Sequence, residues 1–226
     1  FVYNDSEGII LREVEGAVEL RDVTSSKNSG AGLAVTSAGA VTVDGATFSD
    51  NAQSGVHLGA VAGGVQLSAV SADDNLGDGL RLSESASSVS IIGGSFSRNI
   101  GGTGVGLAGV AGSAALIGVT TGGNTQGVDV TDSGAFSAVD GNASRNREHG
   151  LRLTDISGDV TVDGTAIANN GRTGAVIESV GGAVRLEGVT AARNLGFGFE
   201  AAGLTDLTIA NLNLPDQLEA FGGTVN

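Results

Sequence analysis

The stretch TFSDNAQSGVHL, residues 47–58, decides the fold. It returns as SFSRNIGGTGVGL at 95–107 and as NASRNREHGLRL at 142–153. Each copy has an Asn, then a Gly, then an alternating apolar segment. Working outward, the same Asn stands at Asn4, Asn28, Asn51, Asn75, Asn99, Asn124, Asn146, Asn170 and Asn194, in steps of 22–25 residues. A second series follows it by three to five residues: Gly8, Gly32, Gly55, Gly79, Gly104, Gly127, Gly150, Gly174 and Gly198. Two residue series locked to one period mark a repeat protein.

Apolar residues keep the same register. Pairs such as Val41/Val43, Val65/Leu67 and Val160/Val162 stand ten and eight residues before the Asn, and pairs such as Leu33/Val35, Leu80/Leu82 and Leu151/Leu153 follow the Gly. Between them lies a short segment such as Ala46-Thr47-Phe48. Alternation of period two predicts strands, and no segment sustains a helical period. Three short strands per repeat predict an all-β solenoid of three short parallel sheets, with about 9–10 coils of ~24 residues stacked into one core. At roughly 4.8 Å per coil the rod is on the order of 45 Å long. Asn and Gly are expected at the sharp turns, because both tolerate positive φ. Stacked Asn side chains are expected to hydrogen-bond from coil to coil as an interior ladder. Leucine-rich repeats share the period but place their Asn three residues after the strand and continue into helix. Here the gap is eight residues and a second strand follows.

These repeats resemble the right-handed parallel β-helix repeats of the pectate-lyase-like superfamily, over about residues 1–214. The resemblance implies the right-handed parallel β-helix fold. It leaves function open, since that superfamily spans polysaccharide lyases, hydrolases, epimerases, phage tailspikes and adhesins.

Composition narrows the functions. The chain has 226 residues, 25 acidic against 11 basic for a net charge of −14, 39 Gly, and no Cys, Met or Trp. That charge argues against nucleic acid as a partner. Absent thiols exclude disulfides, Cys-ligated zinc and thiol catalysis. The uncharged stretch Asn99–Val128 is rich in Gly, Thr and Ser, which argues against membrane insertion. Asn4 is a full member of the series, so the first coil begins in mid-repeat, with Phe1 where Phe48 and Phe96 stand later. Further coils or a cap upstream are expected, as part of a longer chain. Residues 1–226 read as one β-helix domain, with a C-terminal cap at 204–226 where Pro215 and Gln217 break the pattern.

Register sorts the outward positions into columns. One runs Ala34, His57, Arg81, Gly106, Asp129, Arg152, Val176, Glu200. Its polar members His57, Arg81, Asp129 and Arg152 are candidates for binding carbohydrate, against the plainer reading of a solvated strand face. If the protein is an enzyme, His149, Arg152 and Asp129 are the catalytic candidates, since His titrates near neutrality and Arg neutralises a carboxylate. A second column runs Thr24, Thr47, Ser71, Ser95, Thr120, Asn142, with Ser26, Ser49, Asp73, Ser97 and Ser144 beside it. It reads as strand propensity and solubility, and its hydroxyl pairing breaks at Gly122 and Ala166. A third column, polar at Arg21, Asp44, Ser68, Asp163 and Glu187, turns apolar at Ile92, Ile117 and Val139. Those three are candidates for an interface with another protein surface, unless the register slips near Val139. No cofactor is expected. Calcium is the one ion weighed, for Asp73, Asp74 and Asp78, though no known loop spacing is present.

The expected function is non-enzymatic: a structural or adhesive segment of a larger secreted or cell-surface protein. The alternative is a polysaccharide-acting enzyme on the same fold, such as a lyase, hydrolase or epimerase. Uniform coils without long loops favour the former.

Overall fold

A computed structural model describes residues 1–213 and the backbone of strand Leu218–Ala220. The described chain is all strand and turn, wound as a parallel β-helix in which eight complete turns separate Asn4 from Asn194. Each turn has three faces. Face A holds the segment after the Gly, as in Val56–Val61, Leu80–Ser85, Gln126–Ser133 and Leu151–Ile156. Face B follows it, as in Val65–Ser68, Val89–Ile92, Ser113–Ile117 and Ala135–Val139. Face C is short: single bridges Thr24 to Thr47 to Ser71 to Ser95 to Thr120, then strands Thr120–Gly122 and Asn142–Ser144. Every pairing is parallel to the next coil. Faces A and B are less separate than three sheets would imply. Strands such as Ile9–Arg21 and Ala175–Glu187 run through both, with a register shift at the bend.

Three positive-φ corners per turn make the chain close within so few residues. They recur at Glu13, Ser37, Ala60 and Glu84 between A and B, at Asp22, Gly45, Ala69 and Gly93 between B and C, and at Lys27, Asp50, Asp74 and Arg98 between C and A. This corrects the expected role of the two marker residues. No ladder Asn and no Gly of the locked series has positive φ; the residue before each Asn takes it instead.

The ladder itself is present. Asn75 donates from its backbone N–H and from Nδ2 to Asn99 Oδ1, both at 3.0 Å, and donates its second amide hydrogen to the Phe48 carbonyl at 3.1 Å. The same set recurs at Asn51, Asn146 and Asn170, so these buried amides are satisfied. The ladder explains the glycines. A Cβ on Gly79 would sit 2.7 Å from Asn99 Nδ2 and 2.6 Å from the Gly104 carbonyl, and one on Gly55 would sit 2.8 Å from Asn75 Nδ2. The series is Gly because the amide of the next coil needs that space, not because the backbone needs positive φ.

The core is continuous along the axis. Val56, Leu58, Leu80, Leu82, Val41 and Ile91 are fully buried from faces A and B, and Phe48 and Phe96 fill it from face C. Ala72 lies between the two phenylalanines, so large and small side chains alternate along the axis. Two coils on, Thr121 and Ala143 are both small, and Phe136 enters from face B instead. The exchange leaves a void of about 20 Å³ lined by Thr121, Ala143 and Leu151, and Thr121 Oγ1 has no partner.

At the C-terminal end the regular coil continues through strand Phe199–Ala210. Leu218–Ala220 then pairs with Phe199–Ala201 as a further rung of face A, where no strand was expected. Pro215 and Gln217, on which the cap reading rested, lie outside the described residues.

Candidate functional site

Face A brings the sequence column together as one row. Pairing runs in register from Ala34 to His57, Arg81, Gly106, Asp129, Arg152, Val176 and Glu200. Neighbours in the row are therefore about 4.8 Å apart at the backbone. Asp129 sits between Gly106, which has no side chain, and Arg152. The residue just before each locked Gly lies at the rim of the same face, which places His149 and Gln126 beside the row.

The electrostatics single out Asp129. Burial raises its pKa above the usual value, against the opposing pull of Arg152 and then His149. Its Oδ1 is buried without a hydrogen-bond partner, as are Gln126 Oε1 and Thr154 Oγ1 on the same face. His149 Nδ1 lies 3.3 Å from the Thr173 carbonyl. A carbonyl only accepts, so in the neutral ring this contact places the proton on Nδ1 and leaves the Nε2 lone pair free. Arg152 makes no ion pair among the described residues, whereas Arg172 pairs with Glu148 at 3.6 Å. His149 and Arg152 line a shallow groove of about 370 Å³ with Gln126, Glu178 and Glu200, while Asp129 lies one rung below Arg152, outside that lining. Its walls are single side chains, since no loop rises above them.

Sequence reasoning missed Gln126 and Thr154. The signal for Gln126 was its place immediately before Gly127, equivalent to His149 before Gly150. His57 and Arg81 belong to the same row but lie three and two rungs from Asp129, outside the groove. The three aspartates weighed for calcium do not converge. Asp73 accepts from Ser71, Ser95 and the Ser97 N–H, Asp78 accepts from the Thr103 N–H, and Asp74 is held by Arg98 through two hydrogen bonds of 2.7 and 2.6 Å. The Arg98 contact lowers the Asp74 pKa. No group of three His, Asp or Glu able to hold a metal occurs among the described residues.

On face B the apolar residues are contiguous. Ile92 pairs with Ile117 and Ile117 with Val139, with Ser68 and Asp163 at the two ends. The register does not slip. Ile92 and Ile117 are each 43% exposed, while Val139 is half-buried.

A coil of about 24 residues, three parallel faces and an interior Asn ladder define a right-handed parallel β-helix repeat protein. The chain belongs to the right handed beta helix region family, whose model matches residues 1–143. The A-module of the mannuronan C-5 epimerase AlgE4 from Azotobacter vinelandii has the same fold. Its TM-score is 0.67 at 12% identity, covering 100% of this chain and 79% of that one. At that identity the likeness speaks for the fold alone. No curated protein sequence matches the chain. No helix among the described residues is long and apolar enough to cross a membrane.

Proposed function

We propose that the chain is a non-enzymatic segment of a secreted or surface-displayed protein that holds an extended polysaccharide along face A. The observation that carries this reading is the groove over Arg152 and His149. It runs across successive coils, and its lining carries Arg152 and Arg172 as donors and Glu148, Glu178 and Glu200 as acceptors. A polymer laid across it meets Arg152 as a donor and His149 Nε2, Glu178 and Glu200 as acceptors. Every turn closes in 22–25 residues. Among the described residues no loop therefore rises to exclude water from a reacting carbon, which preorganised catalysis at a sugar needs.

The enzymatic reading has one observation in its favour, the juxtaposition of Asp129, His149 and Arg152. On a uronate, Arg152 would neutralise the carboxylate, His149 Nε2 would take the adjacent carbon-bound proton, and Asp129 would return one. The fold it shares with the mannuronan epimerase module makes mannuronate oligomers the natural probe. Calorimetric titration with mannuronate and galacturonate oligomers, paired with proton NMR of the sugars after long incubation, separates the readings. Saturable binding with unchanged sugars, weakened by Arg152→Ala, is expected. Unsaturated or epimerised sugar that disappears in His149→Ala would establish the enzyme. Absence of both binding and turnover would overturn the polysaccharide reading altogether.

A further inference from the structure

A second concavity lies on face C, away from the groove above. It holds about 580 Å³ and is lined by Arg98, Arg145, Thr120, Asn142 and backbone at Gly122 and Gly123. Its shape has a simple cause. The coil below presents Ser97 and Arg98, the coil above presents Ser144 and Arg145, and the coil between presents two glycines in their place. One rung of side chains is missing, and a saddle is left between two arginines whose backbones are about 9–10 Å apart.

Its chemistry is one-sided. The protein has 25 acidic residues, yet none lines the saddle. Arg98 is engaged by Asp74 through Nε and one terminal nitrogen, which leaves its other donors available. Among the described residues Arg145 has no ion pair and no side-chain hydrogen bond, so its planar fork of donors is uncommitted there. The Ser144 hydroxyl accepts from the Ala168 N–H, so its own hydrogen remains to donate. Ser97 likewise accepts from the Gly122 N–H. The side chains of Thr120 and Asn142 have no hydrogen-bond partner among the described residues. The saddle is therefore rimmed by unused donors and lacks carboxylates. A bidentate arginine with flanking hydroxyls and amides is a recognition set for planar or tetrahedral oxyanions.

We propose that this saddle binds an oxyanion group, a carboxylate or a sulfate, with Arg145 as its principal ligand. The source is either a small free oxyanion or an acid-substituted sugar whose ring hydroxyls use Thr120 and Asn142. The site is independent of face A, so each fails or stands alone.

Amide-detected NMR titration with sodium sulfate, with galacturonate oligomers and with uncharged galactose oligomers tests it. Saturable shifts at Gly122, Gly123 and Ser144 are expected with sulfate and with galacturonate, but not with galactose. Tighter binding of galacturonate than of sulfate identifies a charged sugar as the source, and equal binding identifies a free oxyanion. Arg145→Asn keeps a residue that tolerates the corner's positive φ, as Asn169 does one coil on, and should weaken binding about tenfold or more. Asn142→Asp, which places a carboxylate in the saddle without altering a corner, should abolish it. Unperturbed saddle amides, or binding unchanged in both variants, would overturn the proposal. Arg152→Ala, which removes the face A arginine, should leave the saddle shifts in place and serves as the control.

Discussion

Asn75 is the residue on which the account of the coil depends most closely. Its amide makes hydrogen bonds up and down the stack with no water to replace them. Asn75→Ala should lower unfolding free energy by about 1–3 kcal/mol in urea melts, because buried partners lose their bonds. An exposed loop Asn would cost under about 0.5 kcal/mol, and a result in that range would remove the ladder from the account. The glycines make a sharper prediction. Gly79→Ala adds one methyl, yet its Cβ would press on the Gly104 carbonyl at 2.6 Å. Backbone cannot yield as a side chain does, so the loss should be about 1–3 kcal/mol or more. Gly16, whose added Cβ meets nothing within 4 Å, should accept Ala almost freely. Asp129 is the residue whose effect depends on pH. Burial raises its pKa from the usual 3.8, so between 3.8 and the raised value the folded chain holds a proton that the unfolded chain has lost. Stability therefore falls as pH rises through that window and stays lowered above it. Asp129→Asn should unfold at higher temperature than the wild type at neutral pH and lose that advantage below about pH 3.8. An equal difference at both pH values would mean that the carboxyl is not desolvated.

Individual strands were legible because their alternation repeats nine times over, and any one weak copy is corrected by its neighbours. Leu80/Leu82 and Val160/Val162 fell on the faces expected of them, and the in-register rows follow from the period alone. The corners were less legible. Asp74 and Arg98 take positive φ where sequence preference points to the Asn beside them, because only the stacked geometry reveals which residue must reverse the chain. Gln126 and Thr154 were not legible as members of the face A site. Their unpaired oxygens depend on what the adjoining coils present, and neither residue type carries that information. Nor was the saddle at Gly122 and Gly123, which in the sequence is only a break in a row of hydroxyls. The face B stripe makes the prediction at this scale. Ile92 and Ile117 point outward, so Ile92→Asp with Ile117→Asp should cost about 1 kcal/mol per site, from strand preference. Inward isoleucines would cost several kcal/mol each, because a carboxylate would be buried. Urea melts of the double variant decide between the two. If the stripe is an interface, sedimentation velocity should also show the double variant losing an association that the wild type makes.

As a whole molecule the chain is a rod with a repeated cross-section, stabilised by contacts between successive coils. Such a body offers long, straight rows of side chains at a fixed spacing. Extended polymers match that geometry better than compact ligands do. Its net charge of −14 sets a condition on this. An acidic polymer is repelled by the surface at large and attracted only where arginines stand free, so its binding should depend on salt in opposite ways at long range and at the site. The measurement that tests the central claim most directly is an amide-detected NMR titration of the folded chain with a mannuronate oligomer at moderate salt. The account predicts saturable shifts in a contiguous patch on face A, centred on Arg152 and extending to His149 and Val176 and lost in Arg152→Ala, separate from any shifts at the face C saddle. Shifts confined to faces B and C, or no saturable shift at any amide, would contradict it.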